Sequence, residues 1–170
     1  EDKINTVFQM AKNLGGNLSD YTVWLLERSL KTMGLRVKAQ NENAQVLAEY
    51  LYANNKVAKV YYPGLTSHPE HELAKAQMKG FGGMLSFELI EGLNADEFQK
   101  KLQLIKSSMS LAGVESTILS PSKTSHGLLT PEERAKQGIK DGLLRFSVGI
   151  EEPEDLIADI EQALKAISEN

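Results

Sequence analysis

The chain has 170 residues, 41% hydrophobic and 25% charged, the balance of a soluble domain large enough to close a core. A formal net charge of −4 leaves no basic surplus for phosphate backbones or anionic lipid, so nucleic acid is not an expected partner, and the absence of cysteine excludes disulfides, thiolate chemistry and cysteine-ligated metals. No apolar run approaches the ~20 residues of a bilayer span, and the opening Glu1-Asp2-Lys3 is unlike a signal region, so the expectation is a cytoplasmic protein with no membrane partner.

In chain order, Val7, Phe8, Met10, Ala11 and Leu14 give Asn5 to Leu14 an amphipathic helical pattern that stops at Gly15-Gly16. Ser19 or Asp20 then caps a longer pattern, Asp20 to Ala53, predicted as one long helix or two in line. Val57 to Tyr62 is β-branched and aromatic, ends at Pro63-Gly64 and predicts a first strand. Glu70 to Met78 is helix-prone, and beyond Gly82-Gly83 the residues Leu85, Phe87 and Leu89 alternate with Ser86 and Glu88, which predicts a strand with one buried face.

Asn94 caps a helix expected to reach about Ser107, with Phe98, Leu102 and Ile105 on one side. Met109 to Val114 is a candidate strand, and Thr117 to Gly127 is expected to be a polar loop around Pro121. Thr130-Pro131-Glu132-Glu133 starts a short helix, with proline at the first helical position and acids at the positive end of the dipole. Leu143 to Ile150 is the clearest strand, with Leu144, Phe146, Val148 and Ile150 on one face and Arg145, Ser147 and Gly149 on the other. A closing helix begins at Pro153 and sets Leu156, Ile157, Ile160, Ala163, Leu164 and Ile167 at core spacing. The order of elements predicts an α+β fold: a small, mostly antiparallel sheet covered by helices on one face and preceded by long helices.

Arg145 is the residue most suggestive of chemistry. A guanidinium inside an apolar strand is costly unless an anion meets it with paired hydrogen bonds. That anion is either an internal carboxylate or the carboxylate of a ligand, unless the position is an edge open to water. Ser107 to Ser110 precede Leu111-Ala112-Gly113, a small-residue stretch where backbone can approach a ligand. His68-Pro69-Glu70-His71 fits a solvated helix start better than a rigid metal site. Ser125, His126 and Asp141 lack the elbow motif of a nucleophilic triad. Gly80-Phe81-Gly82-Gly83 leads into a strand, without the helix dipole that a phosphate loop uses.

Six segments run in order along the chain: Ser29 to Arg36 (SLKTMGLR), Val60 to Leu65 (VYYPGL), Gly80 to Met84 (GFGGM), Ser110 to Ser116 (SLAGVES), Thr130 to Arg134 (TPEER) and Asp141 to Glu151 (DGLLRFSVGIE). Together they resemble the C-terminal part of the cystathionine γ-synthase, cystathionine γ-lyase, cystathionine β-lyase and methionine γ-lyase family, pyridoxal-phosphate (PLP) enzymes of transsulfuration. The resemblance implies the C-terminal domain of the aspartate-aminotransferase-like fold, with residues 1–53 a helical segment linking to a PLP-binding domain and residues 54–170 a small α/β domain. It implies that Arg145 grips the α-carboxylate of a sulfur amino-acid substrate, that Ser110 lies beside it and the cofactor lysine, and that Met109 occupies a position that helps choose the substrate side chain. Ser125 stands where relatives usually carry the threonine of a threonine-histidine pair, which makes it a possible pocket residue. Lys31 and Arg36 also match family positions, where a helix-surface role is at least as good a reading.

The family's cofactor lysine lies in a Ser-x-Thr-Lys segment of the large domain, and no lysine of this sequence has that context. The expectation is therefore a substrate-binding domain of a homotetrameric lyase or γ-replacement transferase, inactive alone, with no catalytic residue and no metal of its own. A γ-synthase or γ-lyase parent is favoured over a β-lyase or methionine γ-lyase one. A non-catalytic amino-acid-binding or scaffold domain is the rival.

Overall fold

A computed structural model describes residues 1–168. Contacts divide the chain into two compact units, Glu1–Leu35 and Arg36–Asn170. The first unit carries α1 (Asp2–Leu14) and α2 (Asp20–Leu30). Helix α1 ends where Gly15 adopts the left-handed conformation, φ 70°, and its N–H closes on the Ala11 carbonyl, as expected of the glycine pair. Ser19 caps α2 through the Thr22 amide. The helical pattern from Asp20 to Ala53 is two helices, because α3 begins only at Met33. At the break the Ser29 hydroxyl bonds the Leu25 carbonyl and the Thr32 hydroxyl the Ser29 carbonyl, competing with the helical ladder beside the flexible Gly34.

Helix α3 (Met33–Ala53) is followed by β1 (Val57–Tyr61), α4 (His71–Gln77), β2 (Met84–Leu89), α5 (Ala95–Lys101), β3 (Lys106–Ser107) and β4 (Thr117–Leu119). The last elements are α6 (Pro131–Lys136), β5 (Leu143–Ser147) and α7 (Pro153–Ser168). The five strands form one sheet in the order β1-β2-β5-β4-β3, antiparallel except for the β3–β4 pair. This is the α+β architecture that the pattern predicts.

One face of the sheet carries the core. Leu85 and Phe87 of β2, Ile118 of β4, and Leu144 and Phe146 of β5 pack with Leu47 and Leu51 of α3, Phe98 of α5, and Leu156, Ile160 and Leu164 of α7. Phe87 and Phe98 meet edge to face at 6.1 Å, a favoured aromatic geometry that ties β2 to α5. The other face presents a row across four strands, Tyr61, Ser86, Arg145 and Leu119, set by the cross-strand register.

The helix begun at Asn94 ends at Lys101 and not near Ser107, because the buried Asp159 carboxylate of α7 draws the amides of Gln103, Leu104 and Ile105 to itself at 2.8–3.0 Å. Met109 to Val114 is a loop and not a strand. The strand pairing falls instead on Thr117–Leu119, at the start of the stretch expected to be a polar loop, where all three residues are buried. At the far end of β5, Ile150 is 42% exposed and lies outside the core row in which alternation sets it.

Candidate functional site

Arg145 sits in β5, the middle strand of the sheet, on the face away from the helices. Its Nη2 donates to the carbonyls of Met109 at 3.2 Å and Ser110 at 3.1 Å. No carboxylate among the described residues pairs with it. Its Nε is buried and has no hydrogen-bond partner. The guanidinium is thus held by two neutral carbonyls while a buried donor stays unsatisfied, an arrangement that costs about 1–3 kcal/mol until an acceptor arrives. Among the described residues, Arg145 takes part in no internal ion pair.

The loop that supplies those carbonyls is fixed at nearly every residue. Ser110 O also accepts from the Thr117 hydroxyl, and Ala112, in the left-handed region at φ 60°, donates its N–H to the buried Ser147 hydroxyl at 2.9 Å. Gln40 Nε2 donates to Gly113 O at 2.7 Å, and Ile150 N to Val114 O at 2.9 Å. Glu151 accepts from both the amide and the hydroxyl of Ser116, whose oxygen accepts in turn from the Gly149 amide. Asn43 closes the arrangement from α3 by donating to the carbonyls of Gly149 and Glu151. A Cβ on Gly149 would overlap the Val114 carbonyl and the Glu151 carboxylate. The Ser147-Val148-Gly149-Ile150-Glu151 and Ser110 to Ser116 segments are therefore two halves of one device that holds the loop against Arg145.

The pattern of residues did not single out Gln40, Asn43, Ser147 or Glu151. A signal for two of them exists: Gln40 and Asn43 occupy the same α3 stripe as Ala44, Leu47 and Leu51, and polar residues at core spacing imply buried hydrogen-bond partners.

Met109 is 69% exposed and lines an open cavity of about 580 Å³ with Ser107, Ser108, Leu119 and Lys123. Leu119 is the cross-strand partner of Arg145, but Arg145 does not itself line this cavity, whose wall also includes Asp96, Gln99 and Lys100 of α5. Ser125 is exposed, and its hydroxyl lies 2.8 Å from Nδ1 of the neighbouring His126. Among the described residues no hydrogen bond joins Ser125 to the Arg145 cluster. Asp141 pairs with Arg134 at 3.1 Å, so Ser125, His126 and Asp141 do not assemble into a triad. His71 Nδ1 lies 2.7 Å from the Pro63 carbonyl and its ring stacks on Phe81, and no group of three metal-ligating side chains occurs among the described residues. Gly82, at φ 86°, bonds Asn41 and Tyr62 at the strand entry, and burial pushes the Tyr62 phenol up to about 12.

On the same open face, the carboxylate of Glu88 accepts from the Tyr61 hydroxyl at 2.5 Å and from Lys140 Nζ at 2.7 Å. Burial works against its charge, but the hydrogen bonds from Lys140 and Tyr61 and the positive charges of Lys140 and Lys59 prevail and hold its carboxyl below the ordinary range. The same neighbourhood raises Tyr61 to about 12, through burial first and then its bond to Glu88.

Residues 1–165 match the family model described as Cys/Met metabolism PLP-dependent enzyme. The chain is 46% identical over 156 residues to a cystathionine beta-lyase of Lactococcus lactis, covering 92% of this chain and 41% of that protein. It is 50% identical over 155 residues to the chloroplastic cystathionine gamma-synthase 1 of Arabidopsis thaliana, covering 91% of this chain and 28% of that protein. Among solved structures, cystathionine gamma-lyase from Lactobacillus plantarum complexed with L-serine superposes with a TM-score of 0.86 at 42% identity, over 92% of this chain and 41% of that one. The chain thus spans less than half the length of these relatives.

Proposed function

This chain belongs to the family of Cys/Met metabolism PLP-dependent enzymes, and on that premise we propose that it is the C-terminal substrate-binding domain of a transsulfuration enzyme, with Arg145 gripping the substrate α-carboxylate. The observation that carries the proposal is the guanidinium itself, charged and, among the described residues, without a carboxylate partner and with a buried Nε lacking an acceptor. A ligand carboxylate satisfies that donor and neutralises the charge at once. Met109 and the cavity beside it then face the substrate side chain, and Ser110 lies at the carboxylate end through its carbonyl.

PLP supplies the electron sink for breaking or making bonds to sulfur. The residues present fit the substrate side of that chemistry and not the cofactor's attachment. Lys140 is bonded to Glu88, Lys123 lies 3.8 Å from Asp96, and neither has the Ser-x-Thr-Lys context. The cofactor is accordingly assigned to the part of the protein outside this chain. The role of Arg145 is to fix the orientation of the substrate, so that the bond to be broken is aligned by a contact remote from the reacting atoms.

The parent is proposed to act at Cγ, as a γ-synthase or γ-lyase in a cytoplasmic homotetramer. The apolar Met109, in place of the acid some γ-lyases carry, does not itself choose between the two. Incubating the full-length protein with PLP and cystathionine distinguishes the sites of cleavage: 2-oxobutyrate and cysteine are expected, whereas pyruvate and homocysteine assign the protein to β-cleavage. Cystathionine formation from an O-acyl-homoserine and cysteine marks a γ-synthase. For the binding role, Arg145→Lys in the full-length protein keeps the charge and loses the two-pronged contact, with kcat/KM expected to fall about tenfold or more. Unchanged kinetics would return Arg145 to a structural role.

A further inference from the structure

The open face of the sheet carries a second charged group that the carboxylate site does not use. Glu88 is 3% exposed and pairs across the strands with Leu143, which makes it the diagonal neighbour of Arg145 two residues on. Diagonal neighbours in an antiparallel pair stand roughly 7–8 Å apart. That spacing is one of backbone positions, since Arg145 now reaches toward Met109 and Ser110 and Glu88 toward Tyr61 and Lys140; a Glu88 released from its partners and brought to about 7–8 Å from the guanidinium would alter binding on the order of tenfold. A free carboxylate there competes directly with a ligand carboxylate for Arg145.

Glu88 is not free. One oxygen accepts from Tyr61 and the other from Lys140, whose own side chain is 69% exposed. Lys59, opposite Glu88 in the register, lies over the Tyr61 ring at 4.5 Å and backs the same cluster. The pair joins a buried carboxylate to a largely exposed lysine, so solvent screens part of its attraction, and together with Tyr61 it occupies both oxygens of an acid that stands diagonal to Arg145.

We infer that Lys140, assisted by Tyr61, is a positioning residue for substrate binding: it neutralises Glu88 and holds it off Arg145, leaving the guanidinium available to an incoming α-carboxylate. This rests on the carboxylate role proposed for Arg145. Without Lys140, Glu88 either turns to Arg145 or repels the ligand, and both weaken binding without touching the reacting atoms.

The test uses the full-length protein with PLP. Affinity for L-norleucine, an amino acid with no leaving group at Cβ or Cγ, is measured by calorimetry, together with kcat and KM for cystathionine. Lys140→Met is expected to raise the norleucine Kd and the KM about five- to tenfold, with kcat changing by less than about twofold. Lys140→Met combined with Glu88→Gln is expected to restore both to within about twofold of the parent, because the competing charge is gone. Lys165→Met, which removes the same charge from the exposed side of α7, is expected to leave them unchanged. Parental affinity in Lys140→Met, or a double variant as weak as Lys140→Met alone, overturns the inference. If Arg145→Lys weakens norleucine binding while Lys140→Met does not, this inference alone falls; if Arg145→Lys leaves norleucine binding unchanged, the carboxylate reading falls with it.

Discussion

Arg145 and Glu88 lie on one face of one sheet and are treated in opposite ways. Among the described residues the arginine has two carbonyls and no counter-charge, whereas the glutamate has a lysine and a phenol on its two oxygens. The difference has a measurable consequence for stability. Glu88 is held below its ordinary value of 4.5, so its charged form is favoured in the folded state. The stability it contributes is fully present above that ordinary value and is lost as the pH falls through the lower, folded one. Denaturation midpoints measured between about pH 3 and pH 6 are therefore expected to decline on acidification, and Glu88→Gln is expected to flatten that decline. An acid limb of equal slope in the variant would show that other carboxylates govern it. Arg145 was conspicuous in the sequence because a lone charge interrupts an apolar alternation. Glu88 was not, because an acid on the polar side of an alternating strand is what a solvated face also looks like.

At the scale of elements, the junction between β5 and α7 is the structural support of the candidate site. Gly149 lets the chain pass against the Val114 carbonyl, and Glu151 immediately beyond it fastens Ser116. Gly149→Ala must displace one of these, with an expected cost of about 1–3 kcal/mol by denaturant unfolding and weaker substrate binding through the shifted loop. The end of α5 is decided in the same non-local way. Asp159→Asn removes the charge that gathers three successive amides, and is expected to cost about 2–3 kcal/mol. Loss of less than about 0.5 kcal/mol would mean that the amides find other acceptors. These contacts also explain why the helix from Asn94 reads too long in the sequence. Leu102 and Ile105 continue the helical apolar spacing, and nothing local announces that an aspartate more than fifty residues away will claim the backbone between them. The expected strand over Met109 to Val114 fails for the same reason, since Ser147, Gln40 and Ile150 take its backbone groups one by one.

At the scale of the larger unit, a single layer of helices on one sheet face fills the core, and the candidate site lies on the other face of that sheet. Phe98 joins the two layers by its edge-to-face contact with Phe87, both fully buried. Phe98→Ala is expected to cost about 3–5 kcal/mol, read from urea or thermal unfolding, by lost burial and the cavity left behind. A cost below about 1 kcal/mol would indicate that the core collapses around the gap. The sequence by itself determined the class of fold, the alternation of β2 and β5, the capped start of α6 at Thr130, the apolar stripe of α7 and the anomaly at Arg145. Its ordered motifs also pointed to the family. All of these are written in spacings of two to four residues, or in short strings, and so survive without knowledge of what lies opposite. Tertiary structure alone decided that Arg145 meets carbonyls and, among the described residues, no acid, that Glu88 stands diagonal to it and is held by Lys140, and that α5 stops at Lys101. The reason is physical: the partner of a charge or of a backbone amide is fixed by strand register and packing between distant segments, and local periodicity carries no record of either.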